Sequence, residues 1–250
     1  MNRDTSKSNL DELGAVFSDS DVPRSLAEVA PKLHEAATGF WQSALGPGAL
    51  SPRMKELALV AMHSSATSLN AAGTQRHVLR SLQAGATPLD VLDVLITIAP
   101  TANHALYFAI PVLMKELKAA DASVDLPEPT PEAQAIKDEF IRTRGVWLEQ
   151  RETVFRMMPK YFAALSKLST ASWTQGSLSQ KERELIAIAI DCTVTHMFEP
   201  GLSMHIRSAL QHGATCEEIL DVFQLASLLG IETYIQGAEA LFGQKAPEPE

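Results

Sequence analysis
Two histidines, His196 and His205, bracket a short loop that also carries Glu199, and Glu232 follows further along the chain. Imidazoles and carboxylates are the side chains that move protons near neutral pH, so such a set could serve as general acid and general base. The same four residues could instead hold a divalent metal, because two His and a carboxylate suit zinc, iron or manganese and leave positions open for substrate. Their spacing matches no named metal signature. Each His also has a plainer alternative, a core imidazole hydrogen-bonded to a backbone carbonyl. Met197 and Met204 read as packing, since Met is a flexible filler of helical cores.

A shift of 128 residues gives these positions partners. It lays Leu50–Val94 over Leu178–Val222 without a gap, with about a third of the pairs identical. Ser51 falls on Ser179, Glu56 on Glu184, Gly73 on Gly201 and His77 on His205. Self-similarity of this kind means two copies of one helical unit. Under the same shift Ser68 pairs with His196 and His104 with Glu232, so Ser68, His77 and His104 make a possible second site in the first copy. Glu56 and Glu184 are either further acids or first-turn carboxylates favoured by the helix dipole. Residues 68–73 are small and neutral, whereas 196–201 carry His and Glu. The second copy is therefore the expected working unit, and the first its structural partner.

The elements that must position these groups are helices. Ser51–Pro52 supplies an N-cap followed by Pro at the first helical position, and Ser179 with Glu182 makes a capping box. Ser25 with Glu28 suggests a further capping box, and Pro31 can open the next helix, which stops at Gly46–Pro47–Gly48. Gly85 and Gly213 read as helix C-caps. Thr130–Pro131 opens a helix expected to carry Ile136, Phe140, Trp147 and Phe155 on one side. No alternating Val/Ile/Thr runs bounded by hairpin turns occur, so the expected fold class is all-α. The expected organisation is a flexible tail over 1–22, one unit over 23–121, a Pro-rich linker over 122–131, a second unit over 132–243 and a disordered tail over 244–250.

At 250 residues and 46% hydrophobic content the chain can bury one large or two small cores. A net charge of −9 without a basic stripe argues against nucleic-acid or anionic-membrane partners. No apolar run approaches the ~20 residues of a membrane span, and the polar N-terminus lacks a signal-peptide core. Cys192 and Cys216 suggest no disulfide framework. A cytoplasmic protein is expected.

The pattern Ser179-x-x-x-x-Glu184–Leu185, then Gly201-x-x-x-His205, then Gly213–Ala214–Thr215 resembles the carboxymuconolactone decarboxylase family, which shares its fold with the AhpD-type alkylhydroperoxidases. The resemblance covers most of 30–120 and 158–243, two family units fused in tandem. It implies an AhpD-like helical bundle in which His205 occupies the family's His position and the last helix returns past it, so that His196, His205 and Glu232 face one pocket. The AhpD-type peroxidases use a Cys-x-x-Cys pair just before that His. Here the stretches read Asn70–Ala71–Ala72–Gly73 and Phe198–Glu199–Pro200–Gly201, without a thiol, so thiol peroxide chemistry is disfavoured. The resemblance implies a cofactor-independent decarboxylase acting on a small carboxylated lactone or related acid from aromatic breakdown. His205 would donate the proton or bind the oxyanion, Glu232 or Glu199 would orient it, and His196 would hold the substrate carboxylate. A metal-dependent enzyme using His196, Glu199, His205 and Glu232, and a non-enzymatic ligand-binding or interaction scaffold, are the alternatives. Family units gather as dimers into rings, commonly hexamers, so the fused chain is expected to form a homotrimer.

Overall fold
The computed structural model describes residues 12–122 and 126–243. The expected disorder of 244–250, the first eleven residues of the expected tail, and 123–125 of the expected linker lie outside the described residues. All regular structure among the described residues is helical: α1 (Asp21–Val29), α2 (Pro31–Leu45), α3 (Pro52–Ser64), α4 (Ala71–Gln83), α5 (Pro88–Ile98), α6 (His104–Ala119), α7 (Pro131–Arg144), α8 (Gln150–Met157), α9 (Pro159–Gln175), α10 (Gln180–Asp191), α11 (Glu199–Gln211), α12 (Cys216–Leu228) and α13 (Glu232–Phe242), with short 3-10 turns at Leu13–Val16, Ala99–Asn103 and Leu229–Ile231. The fold is all-α.

Local chemistry sets the helix ends. Ser51 Oγ accepts from Met54 N at 3.2 Å, and capping boxes form at Thr87/Asp90, Ser179/Glu182 and Thr215/Glu218. Gly85 and Gly213 take φ of +95° and +84°, which a residue with a Cβ adopts only under strain. Three sequence expectations need correction. The Ser25–Glu28 box is not a helix start, since α1 already begins at Asp21. The helix from Pro131 does not run on to Phe155; Gly145, at φ +69°, ends α7, and α8 starts afresh at Gln150. The flexible tail does not extend to residue 22. Leu13, Val16, Phe17 and Val22 are buried in the main core, because apolar groups this large gain more by packing than by remaining in water.

α3 packs against α10, and both contribute to the main core, with Leu57, Val60 and Ala61 from one and Ile186, Ile188 and Ala189 from the other. These two helices are equivalent under the 128 shift, and a pseudo-two-fold axis passes between them. Thr67 Oγ1 lies 3.1 Å from Thr195 Oγ1, its own equivalent. The units also exchange elements. α5 packs on α9 and α10 of the second unit, while α12 packs on α2 and α3 of the first. Asp93 accepts from Leu178 N at 2.8 Å and from Arg183 Nη2 at 2.8 Å; reciprocally, Asp221 accepts from Leu50 N at 2.9 Å and faces Lys55 Nζ at 3.7 Å. Each unit thus caps the start of the other's central helix. A smaller cluster of Ile110, Val154, Phe155 and Phe162 binds α7 and α8 to α6 and α9.

One further expectation changes. The run Pro88–Ala119 is long and apolar enough to cross a membrane by length and composition, with 28% of its most apolar window buried. It is broken by the 3-10 turn at Ala99–Asn103, where Pro100 removes a backbone donor.

Candidate functional site
In both units a carboxylate in the second turn of the central helix meets a histidine 21 residues later. Glu184 Oε2 lies 2.5 Å from His205 Nδ1, and Glu56 Oε2 lies 2.8 Å from His77 Nδ1. One helical hairpin, α10–α11 or α3–α4, brings each pair together. Both carboxylates are thereby acceptors for an imidazole, and their place near the helix start is secondary. Burial opposes the charge on Glu184, but the hydrogen bond and charge of His205, backed by Arg144 and Ser208, outweigh it and hold its carboxyl below the ordinary range. The same balance holds for Glu56, where His77 and Arg80 outweigh burial. A carboxylate on Nδ1 fixes the ring tautomer and leaves Nε2 for other work.

Around His205 the structure assembles an acid–base cluster. Asp191, the last residue of α10, is buried, and neither of its side-chain oxygens has a hydrogen-bond partner. It stands 4.0 Å from His205 Nε2, 3.5 Å from His196 Nε2 and 3.8 Å from His104 Nδ1. Burial, and then the negative charge of Glu184, push its carboxyl up to about 8, so it keeps a proton at neutral pH. His104 and His196 share a short contact, Nδ1 to Nε2 at 2.6 Å, and Phe198 stacks on His104 with ring centroids 3.8 Å apart. Burial, then the charges of His196, His205 and Arg151, bring His104 down to about 3; burial alone lowers His196.

The sequence-derived set is only partly reunited. His196 and His205 meet around Asp191, but Glu232 belongs to the other site: it accepts from Arg76 Nη1 at 2.6 Å and from Asn70 Nδ2 at 3.1 Å, with His63 Nε2 at 3.7 Å. The expectation of one pocket for His196, His205 and Glu232 is therefore corrected, and the cause is the element exchange. The last helix does return past a conserved-type histidine, but past that of the opposite unit. By the same exchange His104, expected beside His77, joins the second-unit site. Glu199 is exposed and accepts from Ser203 Oγ at 2.9 Å, turned along its own helix. Ser68 is exposed in its turn and joins neither cluster. His77 is fully buried between Trp41 and His63, its Nε2 without a partner.

The proposed metal set His196, Glu199, His205 and Glu232 likewise does not converge. Two other groups among the described residues bring single ligand atoms within 4.8 Å of one another, His63/His77/Glu232 and His104/Asp191/His196. In the first, Arg76 already occupies Glu232 with a positive charge; in the second, the two imidazole nitrogens are bonded to each other.

Asp191 went unremarked in the sequence, although its counterpart His63 made it a polar-for-polar pair. A cavity of about 50 Å³ opens beside the cluster, lined by His104, Tyr107, Arg144, Arg151, Glu184 and His205 among others, and a wider one of about 270 Å³ shares Arg144, Glu184 and His205. The missing thiols also have a structural reason. A Cβ on Gly201 would lie 2.2 Å from Asp191 Oδ2, and one on Gly73 would lie 2.5 Å from His63 Nδ1. Where the peroxidases carry a cysteine, this chain has packed a second titratable group against the backbone. Cys192 is half-buried, and burial chiefly pushes its thiol up to about 12, far from a reactive thiolate.

The sequence model of the Carboxymuconolactone decarboxylase family matches residues 31–119 and 159–240, one segment for each unit. The chain belongs to this family. A crystal structure from Burkholderia xenovorans LB400, provisionally described as a gamma-carboxymuconolactone decarboxylase subunit, is similar to it at 31% identity with a TM-score of 0.83, covering 93% of this chain and 94% of that one. A comparison with curated proteins gives no match. The two matched segments of this family member leave out α7 and α8, the helices that carry Arg144 and Arg151.

Proposed function
We propose that the chain is an acid–base lyase, a decarboxylase of a small carboxylated lactone or related acid from aromatic breakdown, working at the second-unit site. The carbon–carbon bond to the carboxylate breaks, carbon dioxide leaves, and the electron pair passes into a conjugated carbonyl. The substrate then takes a proton on carbon. Asp191 supplies that proton through His205 Nε2, Glu184 holds the ring, and solvent returns a proton to Asp191 through His104 and His196. The scheme needs no cofactor. The observation that carries this reading is a buried carboxyl without a hydrogen-bond partner, 4.0 Å from an imidazole that lines a cavity and whose other nitrogen is fixed by Glu184. The family and the Burkholderia structure's description support the reaction class.

The test is carbon dioxide release from γ-carboxymuconolactone and related carboxylated lactones by the full chain, with Asp191→Asn and His205→Ala alongside. Each variant is expected to lose about 10²–10⁴ in kcat, the usual contribution of a positioned acid or base. Turnover surviving both substitutions with helicity intact would refute the site. Release from none of the lactones would favour the ligand-binding alternative. Dialysis against a chelator is expected to leave turnover unchanged; loss restored by zinc or manganese would favour the metal alternative.

A further inference from the structure
We infer that α7 and α8 add an oxyanion-binding subsite to the second unit, in which Arg144 and Arg151 receive a carboxylate group. This rests on the second-unit cavity being the working site, but it concerns binding and does not depend on the reaction assigned there. Four residues lining the inner cavity carry N–H groups without a hydrogen-bond partner: Arg144 Nε, Arg151 Nη1, Arg183 Nε and Trp173 Nε1. Arg183 is neutralised by Asp93 at 2.8 Å. Arg144 and Arg151 form no ion pair with a described carboxylate. Their other contacts are to a carbonyl, a hydroxyl and ring faces: Arg144 Nη1 donates to Ser169 O at 3.2 Å and lies over Trp173, while Arg151 Nε donates to Tyr107 Oη at 2.9 Å and lies over Phe140.

A buried N–H without an acceptor is costly, and although the charge of Glu184 partly offsets that of Arg144, Arg144 Nε and Arg151 Nη1 lack an acceptor. The strain is visible in Arg144, which burial and then the charge of Arg151 bring down to about 10 while leaving it charged at neutral pH. A wall with surplus donors takes a ligand that is all acceptor. A carboxylate meets that description, and planar guanidinium forks suit it better than any other side chain. A volume of about 50 Å³ admits the head of such a group, and the adjoining space of about 270 Å³ takes the rest of a small molecule.

The first unit shows that these donors are an addition rather than scaffold. Under the 128 shift Arg144, Arg151 and Trp173 correspond to Val16, Pro23 and Leu45, none of which offers a side-chain donor. Both arginines also lie between the two segments matched by the family model, so the family pattern does not supply them.

The experiment is titration of the full-length protein with acetate, with its neutral isostere acetamide, and with chloride at the same ionic strength, read by calorimetry. Acetate is expected to bind at least tenfold more tightly than either control. Arg144→Met and Arg151→Met should each weaken acetate at least tenfold, and Arg142→Met, on the exposed face of α7, should leave it unchanged. Acetate binding no tighter than acetamide in the wild type, or binding unchanged in both arginine variants, would overturn the subsite. Loss of lactone turnover alone would not.

Discussion

At the scale of single residues, the proposed chemistry turns on Asp191. Its carboxyl, ordinarily near 3.8, is raised to about 8 by burial and by Glu184, so the native state holds a proton there that the unfolded chain releases. Between those values folding takes up a proton, and stability must fall as pH rises. His104 and His63, both brought down to about 3 chiefly by burial, act in the opposite sense: stability is lost as pH falls from 6.5 towards 3. Between pH 6.5 and 8 the histidines contribute no further change and the Asp191 slope remains. Denaturant melts are therefore expected to show stability declining from pH 6.5 to 8, and Asp191→Asn should flatten that decline. For turnover the sign is the same, with kcat falling about tenfold per pH unit above 8 as the proton donor ionises. A profile flat to pH 10 would remove Asp191 from the mechanism. His205 could be singled out in the sequence because both units share it. Asp191 could not, because its meaning depends on burial beside Glu184 and on two histidines arriving from different places.

At the scale of elements, the caps of α3 and α10 and the equivalence of these helices were legible from Ser51, Ser179 and the repeat itself, while the boxes at Thr87 and Thr215 emerged only in the structure. The partner of each α5 and α12 was not legible. A linear repeat is equally compatible with closed units and with units that exchange their ends, and only three-dimensional packing distinguishes them. Asp93 and Asp221 hold the exchange together, and Gly176 and Gly48 make room for them. A Cβ at Gly176 would come within 2.2 Å of Asp93, and one at Gly48 within 2.5 Å of Asp221. Gly176→Ala is therefore expected to destabilise by about 2 kcal/mol or more, as overpacking of a buried charged contact does, with the loss read as a lowered denaturant midpoint. Glu232, now placed in the first unit, gives a complementary test. Glu232→Gln breaks a buried pair with Arg76 and should cost about 3 kcal/mol in stability, while turnover per folded molecule persists. Loss of turnover without loss of stability would return Glu232 to the chemistry.

At the scale of the whole molecule, a duplicated scaffold carries two unequal sites. The first is a closed network of Glu56, His77, His63, Arg76 and Glu232; the second gathers His104, His196 and His205 around a buried carboxyl, Asp191, beside open space. α6 exposes Phe108, Val112 and Leu113, with Phe108 77% exposed. An apolar face of this kind suits burial between chains, and a trimer built on it would have three times the chain mass of 27.1 kDa by light scattering. Phe108→Glu should shift that mass towards the single chain. A monomer at all concentrations would contradict the assembly but leave the site untouched.

The inequality of the two units is the central claim, and a matched pair of substitutions tests it. His77→Ala and His205→Ala remove the same side chain at equivalent positions of the repeat. In the carbon dioxide release assay on carboxylated lactones, His205→Ala is expected to lose turnover by about 10²–10⁴, and folded His77→Ala to retain it. Equal losses in both variants, or loss confined to His77→Ala, would contradict the account.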